Sequence, residues 1–259
     1  MIIMKSDREL ELMRRSNAIV AEVLCCLRGM IKPGMSTYDL DLEAENIMAR
    51  YNVKPAFKGY HGFPNALCAS INEEIVHGIP SRKRILKDGD IISLDFGVVL
   101  NGYYGDAAIT VPVGTISTRA QQLVDVTRQA LYAAIDQCRQ GRRLNDIARA
   151  VESQVRGTGF SIIRDFVGHG IGRTLHEAPQ IPNYFDPYRR ERLRVGMVLA
   201  IEPMISEGTF EVKIRGDGWT AVTADGKLSA HFEHTVAITE DGPEILSEMG
   251  CYNKQPQTN

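Results

Sequence analysis

The chain has 259 residues, 44% of them hydrophobic, enough to bury a sizeable core as one large domain or two small lobes. A formal net charge of -2 and a pI near 6.3 give no reason to expect nucleic acid or an anionic membrane as the main partner. No apolar run approaches the ~20 residues of a membrane span, and MIIMKSDREL turns charged before a signal-peptide core can form, so export is not expected.

The first predicted element is a helix. Ser6 and Glu9 form a capping-box pattern, and Leu10, Met13, Val20, Leu24 and Leu27 recur at helical spacing until Gly29 and Pro33-Gly34 stop it. A second helix starts at Ser36, with Leu40, Ala44, Ile47 and Tyr51 on one face, and ends near Tyr51. Short strands punctuated by Gly and Pro occupy about 64 to 113. Helix returns after Ser117, with Ala120, Leu123, Thr127, Leu131, Ala134 and Cys138 in register, and again from about Asn145 to Arg156. Strands follow to about residue 239, and the tail 252–259 has too little apolar content to pack, so mobility is expected there. Cys25, Cys26, Cys68, Cys138 and Cys251 are odd in number and scattered, without the spacing of a zinc knuckle or a disulfide framework. A reducing cytoplasm is the expected setting, and the adjacent Cys25 and Cys26 need no redox role.

Two helices followed by strands occur twice, and the halves align. KPGMSTYDL matches RQGRRLNDI, placing Gly34 over Gly141 and Asp39 over Asp146; LKDGDIISLD matches LRVGMVLAIE, placing Gly89 over Gly196 and Asp95 over Glu202, all at a spacing of 107. Side chains alternate along a strand, so Ile92 and Leu94 match Leu199 and Ile201 on the core face. Asp95 and Glu202 then share the opposite face, beside Ser93 and Ala200, and two facing halves bring the carboxylates toward a common centre.

A lone buried acid is ordinarily explained by a hydrogen bond or an arginine partner. Two converging carboxylates repel and are costly to desolvate, so the pairing demands a compensating cation. Asp106, eleven residues after Asp95 across an Asn101-Gly102 hairpin turn, is a further candidate, as are Glu233 in HFEHTVAI and His169 in FVGHGIG. Four carboxylates and one imidazole suit two divalent ions with bridging carboxylates better than one structural zinc.

Asp95, Asp106, GHGIGRTLHEAP, AIEPM and HFEHT together resemble the methionine aminopeptidases of the pita-bread metallopeptidase family, over about residues 5 to 250. The resemblance implies an α+β pita-bread fold: one catalytic domain, 1–259, whose pseudo-symmetric halves, about 5–113 and 115–240, pack helices on a curved, mainly antiparallel sheet. The absence of a large amino-terminal domain or zinc-finger extension makes it similar to the short bacterial type 1 form. The implied ligands of two divalent ions (manganese, iron, cobalt or zinc) are Asp95, Asp106, His169, Glu202 and Glu233, with Asp106 and Glu233 bridging. Two such ions acidify a shared water and present hydroxide to a peptide carbonyl. By resemblance Glu202 takes the water's proton and passes it to the departing amine. His176 donates to the developing oxyanion, and His77 orients the scissile amide. The ion on the Asp95 side takes the free α-amine, which confines cleavage to the first residue.

For the side-chain pocket the resemblance implies Tyr60, Phe63, Cys68 and Trp219, a lining suited to an unbranched thioether. Phe63 stands where the family commonly has Tyr, and Leu175 where it often has an aromatic residue. Asn72 and Ser229 match positions that help bind one monovalent cation. The implied partner is a peptide or nascent chain with amino-terminal methionine, met by a cytoplasmic monomer with transient ribosome contact; no nucleic-acid specificity and no membrane are expected.

Other readings remain. His77 before Gly-Ile-Pro suits a turn, His231 and His234 suit packing or hydrogen bonding to the ligands, and His61 lies near the pocket. GHGIG lacks the full glycine fingerprint and following helix of a phosphate loop. The runs SRKRILK and RRERLR read as solvated faces. A non-catalytic peptide-binding member of the fold should have lost ligands, and a proline-specific aminopeptidase is opposed by the Cys68 and Trp219 pocket.

Overall fold

The computed structural model describes residues 2–253. The chain order is α1 (Asp7–Met30), α2 (Thr37–Tyr51), β1 (Lys54–Pro55), β2 (Leu67–Ile71), β3 (Glu74–Val76), β4 (Ile91–Leu100) and β5 (Tyr103–Pro112). Then follow α3 (Thr118–Ile135), α4 (Leu144–Val155), β6 (Ser161–Ile162), β7 (Gly168–Gly170), β8 (Glu177–Ile181), β9 (Val198–Ile201) and β10 (Met204–Ser206). The chain closes with β11 (Val212–Ile214), β12 (Ala221–Thr223), β13 (Ser229–His231), β14 (Glu233–Thr239), β15 (Gly242–Ile245) and α5 (Gly250–Asn253). Of the tail expected to be mobile, 252 and 253 close α5, and 254–259 lie outside the described residues.

Local chemistry sets the helix starts. The Glu9 carboxylate accepts from the Ser6 N–H at 2.9 Å, Asp39 from the Ser36 N–H at 2.9 Å, and Asp146 from the Arg143 N–H at 2.8 Å. Cys138, predicted in register with the third helix, is buried in the turn beyond its end at Ile135. Asn101 and Gly102, at φ 53° and 80°, form the two-residue turn joining β4 to β5.

Nine strands form one curled sheet in the order β1-β4-β5-β14-β9-β7-β8, with β2 also on β4 and β15 on β14; their pairings are antiparallel. Ile92, Leu94, Phe96 and Val98 of β4, with Leu199 and Ile201 of β9, are buried in one apolar cluster with Leu24 of α1, Leu40 of α2, Leu123 of α3 and Ile147 of α4. One sheet face is thus covered by the helices, which leaves the alternate residues to face the opposite side.

The backbone repeats itself at the spacing of 107. Gly34 N–H donates to Leu86 O (2.8 Å) and Gly141 N–H to Leu193 O (3.0 Å); Thr37 N–H donates to Arg84 O (2.9 Å) and Leu144 N–H to Glu191 O (3.2 Å). The spacing widens in the last strand of each half. Val113 N–H to Asp90 O corresponds to Ile238 N–H to Met197 O, a spacing of 125 for the donors (238 minus 113), so in β14 Glu233 matches Ala108.

Three sets of pairings depart from the sequence reading. Cys25 on α1 and Cys251 in α5 form a disulfide with Cα atoms 5.8 Å apart, which corrects the expectation that no cysteines pair. They are 226 residues apart, so no local spacing marks them, and the cysteine pattern no longer argues for a reducing compartment. Arg84, in a run expected to be solvated, instead pairs with the buried Glu74, which also binds Arg215 at 2.5 Å. Arg189, in the second run, pairs with Asp186 and Glu191. No described helix is long and apolar enough to cross a membrane.

Asp41 shows how a buried acid is satisfied in this protein. Its Oδ1 accepts from the Ala66 and Leu67 N–H groups, both at 3.0 Å, and its Oδ2 from Asn65 Nδ2 at 2.7 Å, which ties α2 to the start of β2. Asp41→Ala orphans these donors and is expected to cost about 2–4 kcal/mol. A lowered urea midpoint at unchanged m checks it; an unchanged midpoint contradicts it.

Candidate active site

Asp95 on β4 is opposite Ala108 on β5, and Ala108 is opposite Glu233 on β14. Cys68 on β2 is paired with Asp95 from the other side. The four residues form one row across the face not covered by helices, with the small Ala108 leaving room between the two acids. Asp106 is opposite Gly97, two residues along the same face. Glu202 directly follows β9, beside Glu233 because Ile201 pairs with His234. His169 on β7 is opposite Ala200. Five positions remote in sequence therefore line one cavity of about 250 Å3.

The acids are buried without the partners that buried acids normally have. Asp106 and Glu233 are 4% and 2% exposed. Asp95 Oδ1, Asp106 Oδ1 and Glu233 Oε1 are buried without a hydrogen-bond partner among the described residues. Asp41 and Glu74, by contrast, are fully engaged. Among the described residues no lysine or arginine lines the cavity, so the arginine-partner account of Asp95 fails. Burial pushes the Asp95 carboxyl up to about 7. Burial first, then repulsion from neighbouring carboxylates, pushes Asp106, Glu202 and Glu233 well above the ordinary range.

His169 supplies the missing donor type. A carbonyl only accepts, so Nδ1–H donates to Gly170 O at 2.9 Å and leaves the Nε2 lone pair free, 3.5 Å from Glu202 Oε1. Burial, and secondarily His176, lowers its pKa to about 3, so the ring is neutral. Ligand atoms of Asp106, His169 and Glu233 lie within 4.8 Å of one another. An oxygen-rich set with one imidazole and unpartnered carboxylate oxygens fits divalent cations.

His176 faces the same cavity from the β7–β8 connection. Its Nδ1 is 2.7 Å from Tyr60 Oη, and its ring centroid is 4.3 Å from that of His169. Burial, then His61, lowers its pKa. His77 also lines the cavity, in the left-handed region at φ 60°, a strained placement for a non-glycine residue. Burial, then His176, lowers its pKa to about 4.

Tyr60, Phe63, Cys68 and Trp219 line the cavity beside the acids, with the Phe63 and Trp219 rings edge to face at 5.2 Å. Burial, then Asp95, pushes the Cys68 thiol well up, so it remains a neutral thiol. Asp217 Oδ1 accepts from the Trp219 N–H at 2.8 Å and fixes the turn that carries the indole. Leu175 and His61 line the cavity too, and His231 Nε2 lies 3.9 Å from Glu202 Oε2. His234 Nδ1 lies 2.9 Å from Ser247 Oγ, on the opposite side of its strand from Glu233. GHGIG runs from β7 into a turn before β8, with no following helix. Asn72 and Ser229 meet through Ser229 N–H to Asn72 O at 2.8 Å but do not line the cavity.

The sequence reading missed Phe57, which lines the cavity, and Phe166, whose ring meets His77 edge to face at 5.5 Å. The one trace of Phe57 is Gly97, where an added Cβ would lie 3.1 Å from the Phe57 ring. A larger open groove of about 770 Å3 beside α4 and Phe210 lacks any comparable cluster of acids.

The family model described as metallopeptidase family M24 matches residues 11–240. A methionine aminopeptidase of Clostridium acetobutylicum is 51% identical over 247 residues, covering 95% of this chain and 99% of the relative. Methionine aminopeptidase 1 of Bacillus subtilis is 51% identical over 249 residues, covering 96% and 100%. The crystal structure of methionine aminopeptidase from Thermotoga maritima superposes with a TM-score of 0.94 at 49% identity, covering 96% of this chain and all of that one.

Proposed function

The chain belongs to metallopeptidase family M24, and from that premise we propose that it removes the amino-terminal methionine of polypeptides by metal-dependent hydrolysis. The observation that carries this reading is the row of buried, unpartnered carboxylates with a neutral histidine at the wall of an aromatic-lined pocket.

Asp95, Asp106, His169, Glu202 and Glu233 would hold two divalent ions, of manganese, iron, cobalt or zinc; of these residues, the Asp106, His169 and Glu233 ligand atoms already lie within 4.8 Å of one another. The chemistry such a pair supplies when bound is an acidified water and polarisation of the scissile carbonyl. Glu202 receives the water's proton on a carboxylate oxygen and returns it to the departing amine. His176, neutral at physiological pH, donates from Nε2 to the carbonyl oxygen as charge develops there. Tyr60 suits that donation: its hydroxyl lies 2.7 Å from Nδ1, and with Nε2 protonated Nδ1 accepts from that hydroxyl. His77 orients the amide from the adjacent wall. Tyr60, Phe63, Cys68 and Trp219 enclose the thioether in soft surroundings, and a cation held on the Asp95 side would take the free α-amine, which restricts cleavage to the first bond. A monovalent cation at Asn72 and Ser229 is a minor part of the same reading. In the same reading the protein acts on nascent chains in the cytoplasm, as a monomer in transient contact with the ribosome.

Purified protein loaded with each divalent metal in turn is expected to release methionine from Met-Ala-Ser and to leave internal bonds uncut. Faster release of Xaa from Xaa-Pro peptides would favour a proline-specific activity, and no release with any metal would remove the assignment.

A further inference from the structure

Behind the loop that carries His176 lies a buried ion pair outside the reaction described above. Lys5 Nζ is 2.5 Å from Glu177 Oε2, with the two side chains 4% and 6% exposed. Lys5 is held from both ends: its N–H donates to Gly196 O at 2.7 Å, and Nζ also donates to Ile3 O at 3.2 Å. The other oxygen of Glu177 accepts from the Arg173 N–H at 2.8 Å and the Thr174 N–H at 3.4 Å. One carboxylate thus closes the turn between Ile171 and His176 on itself and fastens it to the amino-terminal segment.

Room for the pair is built into the neighbouring backbone. An added Cβ at Gly172 would lie 2.5 Å from Lys5 Cε and 2.6 Å from Glu177 Oε1, and one at Gly196 would lie 2.9 Å from Lys5 O. Desolvating two charges offsets most of their attraction, so a buried pair of this kind is a weak source of net stability but a strong constraint on position. What it positions is visible on the other side of the turn. Leu175 forms part of the pocket wall, and His176 faces the cavity against Tyr60.

We propose that Lys5 is a positioning residue for the hydrolysis: through Glu177 it fixes the 171–176 turn, and with it the Nε2 donor of His176 and the wall at Leu175. The amino-terminal segment is then a working part of the active site. This rests on the reading of His176 as the donor to the carbonyl oxygen.

The test is a kinetic cycle on the metal-loaded protein with Met-Ala-Ser. Lys5→Met keeps side-chain length and removes the ammonium. It is expected to lower kcat by about 10- to 100-fold, with KM changed less than about twofold, because a small misplacement of a catalytic donor is felt in the transition state. His176→Ala should lower kcat by about 100-fold or more. The double variant should be no slower than His176→Ala alone, since Lys5 has nothing left to position. Lys5→Met/Glu177→Gln removes both charges, leaves no unpaired ion to disturb folding, and should show the same loss as Lys5→Met. Multiplicative losses in the cycle, or wild-type kcat in either folded variant lacking the ammonium, would overturn the proposal. Wild-type turnover of His176→Ala would instead overturn the reading of His176, a separate outcome of the same cycle.

Discussion

Glu202→Gln is expected to lose turnover by about 10²- to 10⁴-fold, the span associated with a positioned general base, while the protein stays folded. The substitution keeps the shape of the side chain and its capacity to accept a hydrogen bond, but the amide cannot hold the water's proton. Stability supplies a second, independent readout. Burial and the neighbouring acids Asp95 and Asp106 raise the Glu202 pKa, so its negative charge is unfavourable in the metal-free cavity. Neutral Gln relieves that repulsion, and Tm measured in chelator should match or exceed wild type. Single-turnover release of methionine, with bound metal quantified on the same sample, separates loss of the base from loss of the ions. Turnover within about tenfold of wild type at full metal content would exclude Glu202 as the base.

Stripping the metal is expected to abolish activity and to make stability depend on pH in a sense opposite to ordinary acid denaturation. Asp95 lies at about 7 in the folded chain against ~3.9 unfolded, and Asp106, Glu202 and Glu233 are raised as well. A carboxyl raised on folding favours the folded state fully below its unfolded pKa, and that contribution is lost as pH rises through the folded value. Tm of the stripped protein should therefore fall between about pH 4 and pH 7, the interval between the unfolded and folded values of Asp95. Bound cations compensate the carboxylates, so the loaded protein should show a flatter profile and should release protons on binding metal. Thermal melts in chelator and in metal across that range check the first claim, and proton uptake into a pH indicator checks the second. A gap between the two melting curves that does not widen with pH, or full activity after rigorous chelation, would sink the metal-centred account.

Much of this architecture is carried by short-range information. The capping acids Glu9, Asp39 and Asp146 act three residues from the groups they cap, and the Asn101-Gly102 turn acts within two residues. Asp95 and Glu202 were legible as a pair because the halves align at 107 and strand parity puts both on the face away from Leu94 and Ile201. The alignment has a limit: the spacing widens to 125 in the last strand, so Glu233 matches Ala108 rather than Asp106.

The sequence by itself determined the elements, the repeat and the set of acids, because periodicity, caps and turn residues exert their effects within one or two turns of chain. Closure of the sheet decided which of those acids lack partners. Asp41 and Glu74 carry the same carboxyl group as Asp95 and Asp106, yet the fold brings amides and arginines to the first two and a cavity to the others. The same holds for Cys25 with Cys251, Lys5 with Glu177 and Tyr60 with His176, pairs separated by 226, 172 and 116 residues. Contacts over such separations depend on how helices and strands pack, and no local pattern encodes them.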